Sequence, residues 1–156
     1  MAQNTFRIER STTVSAPAER IFPLIDDFHS WSSWSPYEKL DPAMQRTYSG
    51  EPRGVGAAYA WNGKKAGAGS MEITQAAAPS RVAIALTFTK PMKAQNTAEF
   101  VLEPSGGGTR VSWSMTGKVT LMTRIFGFFV NMDKMIGKDF EAGLAAKKVI
   151  AETAEK

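Results

Sequence analysis

His29 is the chain's one histidine, and acid–base chemistry near neutral pH would fall to it first. It has no evident partner in the sequence, and a lone histidine beside Trp31 and Trp34 reads as a surface or capping residue. Asp26 and Asp27 fall at the end of the first helical segment; as chain neighbours they point apart, so a solvated or turn role is expected. Glu72 lies in a strand between Met71 and Ile73, which claim the opposite face, and so turns to solvent. Arg46 is placed to pair with a ligand carboxylate if its strand turns it inward, a parity the pattern leaves open. Tyr48, Tyr59 and Asn96 offer a ligand a few hydrogen bonds. No nucleophile, base and orienting group come together, so no catalytic residue is assigned. The glycines at 106 to 108 join two strands rather than precede a helix, so they do not form a phosphate loop.

Composition narrows the chemistry further. The chain has no cysteine, which removes disulfides, thiolate metal sites and cysteine nucleophiles, and a single histidine removes multi-histidine metal sites. No cofactor is expected. The net charge is +4, spread along the chain without a basic stripe, so nucleic acid is not an expected partner. Mean hydropathy is -0.23. The longest apolar run, Ile125 to Val130, is far shorter than the ~20 residues of a spanning helix, so membrane insertion is not expected. The first residues, MAQNTFRIERS, lack the apolar core of a secretory signal, and a cytoplasmic location is expected.

These residues need elements to hold them. Residues 5 to 14 alternate at Phe6, Ile8 and Val14 and predict a strand. Ala16-Pro17-Ala18-Glu19 predicts a helix start, with Ile21, Phe22, Leu24 and Ile25 as its apolar side and Pro23 shortening or kinking it. Residues 28 to 43 have no clean period and read as a helical turn and an irregular connection. Strands follow at Met44–Ser49, Ala57–Trp61, Gly67–Gln75, Arg81–Thr89, 93–103 and Thr109–Thr116. Asn62-Gly63 is read as the turn of the second hairpin. Val82, Ile84, Leu86 and Phe88 share one face of their strand, Ala98, Phe100 and Leu102 another, and Val111, Trp113 and Met115 a third. From Leu121 to Glu155 the period changes: Ile125, Phe129, Met132, Ile136, Phe140 and Leu144 form a helical stripe. Gly127, Gly137 and Gly143 mark a bend or a close approach in it.

The fold class expected is α+β, as a single domain over 1–156: a curved antiparallel sheet of about seven strands wrapped around a long C-terminal helix, with short helices between strands 1 and 2. A straight helix cannot touch all of a curled sheet, and the space left is filled by side chains or open to a ligand.

The order of elements resembles the START-like, birch-pollen-allergen-like helix-grip (SRPBCC) superfamily, and locally its polyketide cyclase/dehydrase and lipid-transport branch. The residues that carry the likeness run nearly the length of the chain. They are Trp31-Ser32-Ser33-Trp34-Ser35-Pro36 with Asp41-Pro42, Tyr48-Ser49-Gly50, Gly54-Val55-Gly56-Ala57 and Tyr59-Ala60-Trp61-Asn62-Gly63. Gly108-Thr109-Arg110-Val111-Ser112-Trp113 and Asp139-Phe140-Glu141-Ala142-Gly143-Leu144 complete it. Pro23 inside the first helix departs from the pattern.

The resemblance implies a ligand-binding fold, with a hydrophobic small molecule as partner. The expected cavity lining is Trp34, Tyr48, Tyr59, Trp61, Met71, Ile84, Leu86, Phe88, Phe100, Trp113, Met115, Phe129, Met132 and Ile136. Trp113, Met115, Phe88, Leu86, Ile84 and Phe100 read first as plain core, and Trp31, Trp34 and Tyr37 first as a structural cap on one end of the sheet, with a gate over a cavity mouth as the alternative. Three functions follow: a carrier or sensor of a lipid or aromatic, polyketide-like metabolite; a cyclase- or dehydrase-type enzyme that positions its substrate; or, as in a co-chaperone of the superfamily, a protein-interaction module.

Overall fold

The computed structural model describes residues 5–35, 43–64, 67–90, 94–118 and 128–153. Seven strands, β1 (Thr5–Val14), β2 (Gln45–Gly50), β3 (Ala57–Gly63), β4 (Gly67–Ala77), β5 (Arg81–Lys90), β6 (Ala94–Ser105) and β7 (Gly108–Lys118), form one sheet. Their order is β1-β7-β6-β5-β4-β3-β2, antiparallel throughout. Strands β2 to β7 follow one another as a meander, and β1 closes against the last of them, so the first two strands are the two edges. The expected alternation holds: Val82, Ile84, Phe100, Leu102, Val111, Trp113 and Met115 are buried. Ser114, on the outer face, is buried as well, between its cross-strand neighbours Glu9 and Glu99.

One correction concerns a turn. Asn62 and Gly63 are not the hairpin turn; they pair with Ala68 and Gly67 at the strand ends, and the connection lies just beyond them. A two-residue turn at that point would leave the last pairs unmade. Strand β4 carries register shifts at Ala68/Gly69 and at Ile73/Gln75, and such bulges bend a strand and raise its twist. Gly69 sits at the first. A Cβ there would strike the Thr87 carbonyl and the Trp61 ring, so the bend depends on a residue without one.

Between the edges the chain crosses as three short helical pieces. α1 (Ala18–Ile21) and α2 (Pro23–Asp26) are separated at Phe22. Pro23 has no N–H to give to the preceding turn, so the ladder of α1 ends there and Pro23 opens α2, where a missing donor costs nothing. A 3-10 helix, Phe28–Ser33, follows, capped by the Asp27 side chain, which accepts from the His29 N–H at 3.0 Å. The expected aromatic connection beyond Ser35, with Tyr37, lies outside the described residues.

The long helix α3 (Phe128–Thr153) packs along β1. Three polar links tie it there: Arg10 Nε to Glu141 at 3.0 Å, Lys148 Nζ to the Thr13 carbonyl at 2.8 Å, and the Ser15 N–H to Glu152 at 2.8 Å. The Arg10 guanidinium lies against Gly137, where a Cβ would collide with it, so Gly137 is the close approach expected of it. Gly143 is buried, and Gly127 lies outside the described residues. From Phe140 onward the buried face of α3 is Phe140, Leu144, Lys147 and Ala151.

Candidate ligand-binding site

The inner surface of the sheet carries an almost unbroken run of aromatic rings. Trp61 lies edge-on to Phe88 at 5.8 Å and stacks on Tyr59 at 6.2 Å. Tyr59 meets Tyr48 at 5.2 Å and Phe28 at 5.9 Å. Phe28 abuts Trp31, and Trp31 and Trp34 stand 4.6 Å apart, both edge-on to Phe100 and Trp113. Trp113 finally stacks on Phe140 of α3 at 4.0 Å, nearly parallel. The structure therefore brings Trp34, Tyr48, Tyr59, Trp61, Phe88, Phe100 and Trp113 into one connected cluster of rings.

The remaining expected lining residues divide. Met71, Ile84 and Met115 are buried and Leu86 is partly buried in the same core. Asn96 donates to the Met115 sulfur at 3.7 Å. The side chains of Phe129, Met132 and Ile136 lie outside the described residues, although their backbone belongs to α3.

Trp31 and Trp34 lie deeper than the sheet's rim. They are 5% and 1% exposed. Each indole N–H is satisfied by a carbonyl of α2: Trp31 gives to Ile25 at 2.9 Å and Trp34 to Leu24 at 2.7 Å. A buried indole N–H needs an acceptor, and the break at Pro23 leaves α2 too short to use these carbonyls itself.

The polar residues differ from expectation in two places. Asp26 is not solvated: it is 7% exposed, and no described group donates to its Oδ1. Burial raises its pKa, helped by the charge of Asp27, against the opposing pull of Arg53 and its own backbone N–H. Asp27 does take the turn role. Burial alone would raise it, but the His29 N–H, the His29 ring and Arg53 together hold it below its ordinary value. His29 is also not alone. Its Nδ1 is 3.1 Å from Asp27 Oδ1, and its ring stacks on Tyr48 at 3.9 Å. Arg46 donates to the Met44 carbonyl, and Glu72 is exposed as expected.

Sequence reasoning missed Lys147. Its amine lies 3.4 Å from the centre of the Trp34 ring, 4.6 Å from Trp113 and 4.9 Å from Phe100. The residue is 1% exposed, and burial lowers its pKa well below the usual lysine value. The signal was present in the helical stripe: continuing Phe140 and Leu144 by one more step of three reaches Lys147.

Residues 5–152 match the model of the family described as polyketide cyclase / dehydrase and lipid transport. The chain belongs to that family. Solved structures agree with its fold. Protein TTHA0849 from Thermus thermophilus has a TM-score of 0.66 at 17% identity, over 97% of this chain and 100% of that one. Ara h 8.0201 has a TM-score of 0.64 at 13% identity, over 96% and 99%. The Aha1 dimer from Colwellia psychrerythraea gives 0.61 at 15%, over 94% and 96%. No curated protein matches the chain. Among the described residues, no helix is long and apolar enough to cross a membrane, and no cluster of side chains is suited to a metal ion.

Proposed function

We propose that the protein is a carrier or sensor that binds a hydrophobic small molecule, a lipid or a flat aromatic metabolite, against the inner face of the sheet under α3. The observation that supports it is the aromatic run from Trp61 to Phe140 across β3, β5, β6, β7 and the 3-10 helix. Such a surface gives an apolar body many contacts and leaves only a few polar groups, among them Tyr48, Tyr59 and Asn96, to orient it. Removing about 300 Å² of ligand surface from water yields about 7 kcal/mol before the cost of association, which corresponds to micromolar or weaker binding. The family's lipid-transport description points the same way. Native mass spectrometry of freshly purified protein, with organic extraction of what it carries, tests the reading. A stoichiometric apolar mass that leaves on denaturation supports it. A bare chain that also takes up no lipid or polycyclic aromatic compound from a panel counts against it.

A further inference from the structure

An ammonium in an apolar interior needs two things: a favourable electrostatic surface and acceptors for its N–H bonds. Lys147 has the first. The faces of Trp34, Trp113 and Phe100 stand 3.4, 4.6 and 4.9 Å from Nζ. The second is missing, since among the described residues no oxygen accepts from this buried amine. The rings thus form the π half of a cation site and leave its anionic half open. Packing alone does not call for a lysine here. Met has a similar reach without the charge, and the chain uses methionine freely, with eight in all.

We propose that Lys147 is the polar anchor of the ligand site, selecting hydrophobic molecules that end in a carboxylate. The carboxylate oxygens accept from Nζ while the hydrocarbon body lies along the aromatic surface. In the free protein, burial disfavours the charged amine. A carboxylate placed beside Nζ favours the charged amine in turn, any proton it needs coming from solvent, and the two groups hold each other as a carboxylate–ammonium pair with no covalent bond of the ligand broken. The pair then has aromatic faces on one side and the anion on the other. This inference rests on the apolar-ligand reading above and adds the headgroup to it.

The test compares acids with alcohols of the same body. Decanoate and decanol, and naphthoate and naphthol, are titrated into wild-type protein and Lys147→Met, with tryptophan fluorescence as the readout. The expected result is that the wild type binds each acid at least about tenfold more tightly than its alcohol, and that Lys147→Met binds both alike. Lys147→Gln, which keeps a polar group of similar reach, also loses the preference for the acid. Thermal melts confirm that both variants are folded. Equal affinity of acid and alcohol in the wild type, or an acid preference that survives in Lys147→Met, overturns the anchor and leaves the apolar-ligand reading standing. Failure of all four compounds to bind the wild type overturns both.

Discussion

The Lys147 amine stands 3.4 Å from the centre of the Trp34 ring, so α3 meets the residue that caps the 3-10 helix at an ionisable group. Trp34 is held in turn by its hydrogen bond to Leu24. The contact therefore links α2, the cap of the 3-10 helix, β6, β7 and α3 at one point.

That contact has a stability signature. Burial sets the folded pKa of Lys147 below its ordinary value of 10.5. Between the two values the unfolded chain holds a proton that the folded chain lacks, so this group's contribution to stability rises with pH and levels off above about 10.5. Below the folded value the burial penalty is present in full. Lys147→Met removes it and is expected to stabilise the ligand-free protein by about 2 kcal/mol near neutral pH. The gap between variant and wild type narrows as pH rises toward the lysine range. Urea unfolding of both proteins at neutral and alkaline pH measures it. A destabilised variant, or a gap independent of pH, contradicts the assignment.

Asp26 titrates with the opposite consequence. Its folded pKa is raised above 3.8, chiefly by burial. Between those values the folded chain holds the extra proton, so the contribution of Asp26 falls as pH rises through the window and stays unfavourable above it. Asp26→Asn keeps the shape and gives up the charge. It is expected to gain about 1 kcal/mol near neutral pH and to lose its advantage in acid, below the unfolded value. Thermal melts across the acidic range decide this. Asp27→Asn serves as the contrast, because the pKa of Asp27 is lowered and its contribution is lost as the pH falls.

The aromatic run should not be energetically uniform. Trp113 is buried, stacked on Phe140 at 4.0 Å and on Phe100 at 5.0 Å. Trp113→Ala opens a cavity there and is expected to cost about 3–5 kcal/mol. Trp61, at the other end, is only partly buried. Trp61→Ala is expected to cost less, about 1–2 kcal/mol, and to weaken ligand binding. Chemical denaturation with a ligand titration separates the two. If Trp61→Ala proved as costly as Trp113→Ala, the run would be plain core along its whole length.

Much of the fold was legible in the residues. Period-two alternation at Val82–Phe88 and Val111–Met115 placed the strands and their inner faces, because a pleated strand turns successive side chains to opposite sides. Pro23 announced the break between α1 and α2, since it carries no N–H. The hairpin at Asn62-Gly63 was misplaced by a local rule: the dipeptide suits a tight turn, but the register with Ala68 and Gly67 continues the pairing past it.

The sequence by itself determined which residues are apolar, with what period, and hence which faces the strands and the helix must hide. Only the tertiary structure decided who meets whom across those faces. Periodicity assigns a side chain to a face and says nothing of the neighbour opposite. The closure of β1 on β7, the depth of Trp31 and Trp34 and the burial of Asp26 depend on partners distant in the chain. So does Lys147: a charged residue in a helix ordinarily turns to water, and it reads as a site only once Trp34, Phe100 and Trp113 are seen around its amine.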